Sequence, residues 1–321
     1  MKTLKLKGGS LSSTYLIDDG QTQFIRKSVN TKSDREYGYV RWYSQLKKLQ
    51  RFSDTGVFPR VLNVGCEEDN VYFDIEYLNG YKDIKQIFSE KNLDLKDIEK
   101  INDSIWNSFE KIHRKKYPTN KGSGYLYFKE EVLQKITDAL KNDRFFNFYQ
   151  NKSFNYNGCL IKNIETYLPT LEKYFNGIEL SVEEDIHGNP TLENMMYSFE
   201  EDKVFFIDPY EESCIDTKFL DYCQVLQCSK SYYGYINDNN VMVDGKNISF
   251  CGIIPENFKT FNSLFESKIN SNKELIYILE ATQFIRMLPF KCASGEIDKA
   301  IFFYAHSCSL LDKIFDGKCI N

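Results

Sequence analysis

One stretch near the middle of the chain restricts the fold more than any other. It runs Glu184-Asp185-Ile186-His187-Gly188-Asn189-Pro190-Thr191-Leu192-Glu193-Asn194-Met195-Met196-Tyr197, and the apolar segment Lys203-Val204-Phe205-Phe206-Ile207 then ends on Asp208-Pro209. The order is a histidine beside a glycine turn, an asparagine five residues beyond Asn189, a strand and a carboxylate. Asn194 and Asp208 both offer hard oxygen donors, the kind that Mg2+ takes. Each has a plainer reading by itself: Asn194 as a helix cap or Asx-turn, Asp208 as a strand-end turn before proline. The pattern gains weight only from partners elsewhere in the chain.

Those partners lie upstream and in order. Thr3 to Lys7, Thr14 to Ile17 and Gln21 to Val29 read as strands, and Asp18-Asp19-Gly20 between the last two is a hairpin signal. Ser33 and Asp34 are N-cap candidates for a helix to about Phe52, with Val40, Tyr43, Leu46 and Leu49 as its apolar stripe. Arg60 to Gly65 and Val71 to Tyr77 read as two further strands. The first three strands predict an antiparallel meander, and the first 80 or so residues five strands and one helix. From Leu78-Asn79-Gly80 onward the pattern turns helical: Asp83 to Phe88, Leu95 to His113, Phe128 to Leu140, Asn163 to Phe175, Asp216 to Cys228, Glu256 to Lys268, Lys273 to Met287 and Glu296 to Phe315. Tyr232 to Ile253, with Asp244-Gly245, fits no single period. The boundary falls at Asn79-Gly80, with 1–79 as a strand-rich lobe and 80–321 as a helix-rich one.

Composition excludes several function classes. The formal charge is −5, from 41 basic and 46 acidic residues, so a nucleic-acid partner is not expected. No apolar run reaches membrane-spanning length, and the alternating start lacks a signal-peptide core. Nine cysteines without a CxxC pair read as reduced thiols of a cytoplasmic protein. The three histidines, His113, His187 and His306, have no zinc-ligand spacing.

The glycine turn Gly8-Gly9, followed by Ser10, Ser12 and Ser13, suits a backbone that closes over a polyphosphate, although a glycine-serine turn is often only a turn. No GxxxxGK[ST] loop occurs. A phosphoryl-transfer site of the kinase type needs a cation on the third strand and a carboxylate on the following helix. Lys27 or Arg26 is the cation, with Lys27 favoured on spacing, and Glu36 is the carboxylate. The two cations point to opposite strand faces, so only one can serve.

Taken together, these residues resemble the aminoglycoside phosphotransferase and choline kinase-like family. Gly8-Gly9-Ser10-Leu11-Ser12-Ser13-Thr14-Tyr15 is similar to its nucleotide loop, and Arg35-Glu36 to the start of its first helix. His187-Gly188-Asn189 with Asn194 is similar to its His-Gly-Asp catalytic loop, and Ile207-Asp208-Pro209 to its metal-binding Ile-Asp. The resemblance spans about Leu6 to Asp221. Phe284 to Phe290 add a weaker likeness to small-molecule kinases among bacterial capsule and surface-sugar proteins. The resemblance implies an α+β, bilobal protein-kinase-like fold with a five-stranded antiparallel N-lobe and a mainly helical C-lobe. It implies transfer of a phosphoryl group from ATP or GTP, with Mg2+ on Asn194 and Asp208, to a hydroxyl of a small molecule. Glu76, Tyr77 and Leu78 would be the hinge that holds the purine, and His187 with Asn189 the catalytic loop.

Asn189 departs from the family pattern, which has Asp there. It is nearly isosteric with Asp but uncharged and a poor base. Three readings stand open: a kinase that tolerates Asn, a nucleotide-binding pseudokinase, or an engineered Asp-to-Asn form. Asp185 is an alternative base, with a strand-end carboxylate as its plainer reading. Glu183, Glu184, Asp185, Glu211 and Glu212 would suit a cationic acceptor such as an amino sugar or amino alcohol. Tyr222, Tyr232, Tyr233 and Tyr235 would stack on a sugar ring or simply pack. A protein kinase is disfavoured, since no Asp-Phe-Gly or Ala-Pro-Glu segment occurs.

Overall fold

The computed structural model describes residues 2–6, 13–33, 38–90, 92–115, 118–182, 184–210 and 214–317. Strands β1 (Lys2–Lys5), β2 (Ser13–Asp18) and β3 (Gln23–Asn30) precede helix α1 (Gly38–Arg51). Next come β4 (Val61–Glu67), β5 (Asn70–Glu76), β6 (Lys82–Asp83), α2 (Ile84–Glu90) and α3 (Leu95–Ile112). Short helices α4 (Ser123–Tyr127), α5 (Gln134–Ala139) and α6 (Asp143–Tyr149) follow, with a π-helical stretch at Phe128–Leu133. A hairpin of β7 (Ser153–Tyr156) and β8 (Cys159–Lys162) leads to α7 (Leu168–Asn176), and then to β9 (Met195–Ser198) and β10 (Lys203–Phe206). The chain closes with α8 (Lys218–Ser229), α9 (Tyr233–Asp238), β11 (Met242–Asp244), β12 (Asn247–Ser249), α10 (Glu256–Ser267), α11 (Lys273–Arg286), α12 (Leu288–Ala293) and α13 (Ile297–Phe315).

By packing, the chain divides into two compact units, residues 1–114 with 187–213 and residues 115–186 with 214–321. This division follows contacts, whereas the boundary at Asn79-Gly80 follows the change from strand-rich to helix-rich sequence. Among the described residues, no helix is long and apolar enough to cross a membrane.

The first unit carries a five-stranded antiparallel sheet in the order β1-β2-β3-β5-β4. The β2–β3 turn forms as its sequence dictates. Gly20 takes φ 92°, and its N–H donates to Asp18 Oδ1 at 2.9 Å. Register places Ile25, Lys27 and Val29 opposite Ile75, Phe73 and Val71 on one face, with Arg26 opposite Asp74 on the other. Helix α1 covers the first of these faces. Trp42 packs 5.5 Å from Phe73, and its Nε1–H donates to Lys27 O at 3.1 Å. The helix phase differs from the expected stripe. Val40 and Tyr43 are 50% and 43% exposed, while Trp42, Gln45, Leu46, Lys48 and Leu49 are buried. The neighbouring phases score nearly alike because Trp42, Leu46 and Leu49 also lie on one helical face. Helix α3 is capped by Asp94, which accepts from Asp97 N–H, and it buries Ile98, Ile101, Ile105 and Phe109 at helical spacing.

The second unit is mainly helical, with a four-stranded sheet in the order β11-β12-β7-β8. The β7–β8 hairpin turns on Asn157 and Gly158, with φ 46° and 85°, and was not anticipated although Asn-Gly is a strong turn signal. The unresolved period of Tyr232 to Ile253 is a helix followed by the β11–β12 hairpin.

Candidate active site

The central stretch folds as a hairpin. A single 3-10 turn at Leu192–Asn194 leads into β9, and β10 returns antiparallel with Met195 opposite Phe206. Ile207 N–H then donates to Asn194 O at 2.9 Å, so the hairpin brings Asn194 and Asp208 to one open end. The alternating run Val204, Phe205, Phe206 makes this possible. Val204 and Phe206 are fully buried, and Phe206 packs on Phe109.

His187 is fully buried, stacked 5.7 Å from Phe58 and packed at a tilt 5.1 Å from Phe206. Its Nδ1 accepts from Asn189 N–H at 3.0 Å, so Nε2 carries the proton and donates to Ile207 O at 3.0 Å. Both ring nitrogens are therefore committed to backbone, one on each side of the site. Gly188 must be glycine for two reasons. Its φ is 83°, and a Cβ there would stand 2.3 Å from Tyr210 O. Asn189 O accepts from Thr191 N–H and from Asn194 Nδ2. The Asn194 amide is thereby turned with its oxygen left as the acceptor end. The Asn189 side chain is half-buried, with no hydrogen-bond partner among the described residues.

Lys27 is buried, and its ammonium pairs with Asp208 Oδ1. Burial, with Arg41 nearby, pushes the ammonium down to about 7. Asp208 itself takes φ 54°, a left-handed conformation costly for a residue that precedes proline. Arg26 points the other way. Its guanidinium makes two bonds to Asp74 at 2.7 and 2.9 Å, reaches Glu67 at 3.0 Å and stacks 3.7 Å from the Tyr72 ring centre. The bonds to Asp74 hold its charge even more firmly than usual.

Glu76, Tyr77 and Leu78 lie apart from this group. They line a cavity of about 410 Å3 with Phe58, Arg60, Tyr81 and Phe205, and neither Lys27 nor Asp208 is among its walls. The Glu76 carboxylate pairs with Arg60, and its N–H donates to Arg60 O. Ser13 opens β2 opposite Ser28. Gly8, Gly9, Ser10, Ser12 and Glu36 lie outside the described residues, as do Glu183, Glu211 and Glu212. In the second unit, Glu184 accepts from Lys218 N–H at 2.7 Å and caps α8. The tyrosines considered for sugar stacking pack on rings of their own unit: Tyr222 on Phe265, Tyr232 and Tyr235 on Phe258, and Tyr233 on Phe303.

The donor set fits Mg2+. Asn194 and Asp208 supply two hard oxygens, and among the described residues no cluster of three or more His, Cys, Asp or Glu forms a closed cage. An ion with few protein ligands that completes its shell with phosphates and water suits such a pair. Two residues of this neighbourhood were missed from the sequence, both on α1: Arg41 and Lys48. Lys48 is buried and donates to Tyr210 O at 2.6 Å. Arg41 lies over the Tyr210 ring at 4.9 Å. The spacing of Arg41 and Lys48, two helical turns apart, was the available signal.

The chain has a kinase-like fold, with a five-stranded antiparallel N-lobe sheet and a helical C-lobe. Among solved structures it is similar to a spectinomycin phosphotransferase, determined in complex with ADP and spectinomycin, at a TM-score of 0.53. The two are 12% identical, and the match covers 96% of this chain and 92% of that one. No protein-family model matches the chain, and no curated protein matches it.

Proposed function

We propose that the chain is a phosphotransferase that moves the γ-phosphoryl group of ATP or GTP to a hydroxyl of a small molecule. Residues 1–79 would form the nucleotide lobe, and 80–321 would carry the catalytic loop, the metal site and the acceptor pocket. The observation that carries this reading is the pairing of Lys27 with Asp208 at the end of a hairpin whose other strand begins beyond Asn194. In the nucleotide complex Lys27 would exchange Asp208 for phosphate oxygens, freeing the carboxylate for the ion. Asn194 and Asp208 would hold Mg2+, which neutralises charge developing on the transferred group. The acceptor oxygen bonds to the γ-phosphorus as the bond to the bridging β–γ oxygen breaks, and the hydroxyl proton passes to an oxygen of the transferred phosphoryl group or to water. Asn189, at the family's base position, would orient the acceptor hydroxyl by hydrogen bonding, and His187 would hold the loop in place. The backbone of Glu76, Tyr77 and Leu78 would meet the purine, and the Gly8 to Ser13 turn and Glu36 would complete the phosphate side. The fold likeness to a spectinomycin phosphotransferase supports a small-molecule acceptor; a sugar, amino sugar or amino alcohol, including one of the surface-sugar type, is the acceptor we propose.

Asn189 favours a second reading, a pseudokinase that binds nucleotide without turnover, and an engineered Asp-to-Asn form would behave in the same way. Titration calorimetry with Mg·ATP and Mg·GTP tests the shared part, and a folded protein that binds neither would refute both. A screen of sugars, amino sugars and amines for acceptor-dependent nucleotide consumption, run on the chain and on Asn189→Asp, separates them. Turnover with Asn189 in place removes the pseudokinase.

A further inference from the structure

Helix α1 touches three parts of the proposed site, and one of its side chains reaches the loop directly. Lys48 is 2% exposed, and a buried ammonium is tolerated only when hydrogen-bonded. Its Nζ donates to Tyr210 O at 2.6 Å and to His187 O at 3.4 Å. The first acceptor lies two residues beyond Asp208 and the second two residues before Asn189. Tyr210 N–H in turn donates to His187 O at 3.0 Å, so the two segments are closed on each other beneath the ammonium. From His187 the bonds continue to Asn189 N–H and Ile207 O, and from Asn189 to Asn194. Arg41 on the same helix flank covers the Tyr210 ring, and Trp42 bonds the backbone of Lys27.

We infer that Lys48 is a positioning residue for the metal end of the site, tying α1 to the two backbone segments that present Asn189 and Asp208. This inference rests on the nucleotide reading above. An ammonium suits the task because it donates to two carbonyls at once, and acceptors around it can be met in different directions. With Lys48 removed, the two segments would still be joined to each other, but they would lose their hydrogen bonds to the helix that contacts Lys27, leaving Arg41 over the Tyr210 ring as the remaining tie. Asn194 and Asp208 would then lose their fixed placement relative to that cation.

The test compares ADP binding with and without Mg2+ by titration calorimetry, on the full chain and on Lys48→Met and Lys48→Arg. Affinity in EDTA should stay within about threefold in Lys48→Met, while the gain in affinity on adding Mg2+ should fall about tenfold or more, since removing a group that orients a metal ligand costs about 10- to 100-fold in metal affinity. Lys48→Arg should recover most of the gain, because guanidinium also donates to both carbonyls. An unchanged Mg2+ gain in Lys48→Met overturns the inference. So does an equal loss with and without the ion, which marks a merely structural role. Should Lys48→Met fail to fold, Lys48→Gln, which keeps one donor at that depth, takes its place under the same criteria. A full chain that binds ADP under neither condition refutes the nucleotide reading itself, and the inference falls with it.

Discussion

The two units bury polar groups in different ways. In the second, buried polar side chains mostly meet other side chains inside helix packing. Tyr127 bonds Thr282 at 2.8 Å, Tyr167 bonds Asp312 at 2.6 Å, and Ser231 bonds Glu280 at 2.6 Å. In the first, two buried polar side chains, Lys48 and His187, address the backbone of one loop. Lys48 bonds Tyr210 O and His187 O, His187 bonds Asn189 N–H and Ile207 O, and Asp208 stands in a left-handed conformation beside Lys27. Side-chain pairs lock helices to one another. Bonds to loop backbone fix where the loop's own side chains stand, and strain concentrated there marks a site held in place by its surroundings.

The largest effect that would sharpen this contrast comes from Asn189→Asp. In the acceptor found by screening, turnover should rise about 10²- to 10⁴-fold, the range for a positioned general base. Steady-state rates check it, and equal rates would show that the loop does not present residue 189 to the acceptor.

The second unit predicts a pH effect instead. Burial raises the Glu280 carboxyl from 4.5 to about 7, with Lys230 acting against that rise. Between those values the folded chain holds a proton that the unfolded chain has released. The contribution is therefore full below pH 4.5 and is lost as pH rises through 7. The loss amounts to about 3 kcal/mol at 1.36 kcal/mol per pH unit. Urea unfolding at both ends of the window should show the slope, and Glu280→Gln should flatten it. A slope that survives the substitution would detach Glu280 from the effect.

A smaller effect is expected at Lys48. Lys48→Met should cost about 2 kcal/mol of unfolding free energy, because two buried carbonyls lose a donor while the cost of burying the charge is also removed. Its effect on Mg2+-dependent binding should exceed what that figure suggests. The smallest change in binding is expected of Arg26→Ala, although it should cost about 3 kcal/mol of stability, because the buried Asp74 carboxylate keeps only Asn63 as a weaker partner. ADP affinity should not move, whereas Lys27→Ala should weaken it. An affinity loss in Arg26→Ala would assign the two cations the wrong way round.

Much of the first unit was legible because its signals are local. The Asp18-Asp19-Gly20 turn forms where a residue with positive φ is needed, and Asp94 caps α3 with the apolar period that follows it. The β7–β8 hairpin had a signal in Asn157-Gly158, but its short strands are too brief for a period to stand out. Strands β6 and β9 were not legible, since two to four residues carry no pattern without the neighbour they pair with.

By itself the sequence determined the meander, the helical remainder and the loop, amide, strand and carboxylate order, all of which rest on turn chemistry and periodicity along the chain. Only the tertiary structure shows which of Lys27 and Arg26 stands beside Asp208. Alternation says that neighbours on a strand face apart, but which face meets Asp208 depends on where α1 lies over the sheet. The phase of α1 was settled the same way, by Trp42 reaching Phe73 and Lys27 O. That phase turned Lys48, one lysine of an adjacent pair, toward the backbone of the loop, because a side chain's partner is set by packing between elements distant in sequence.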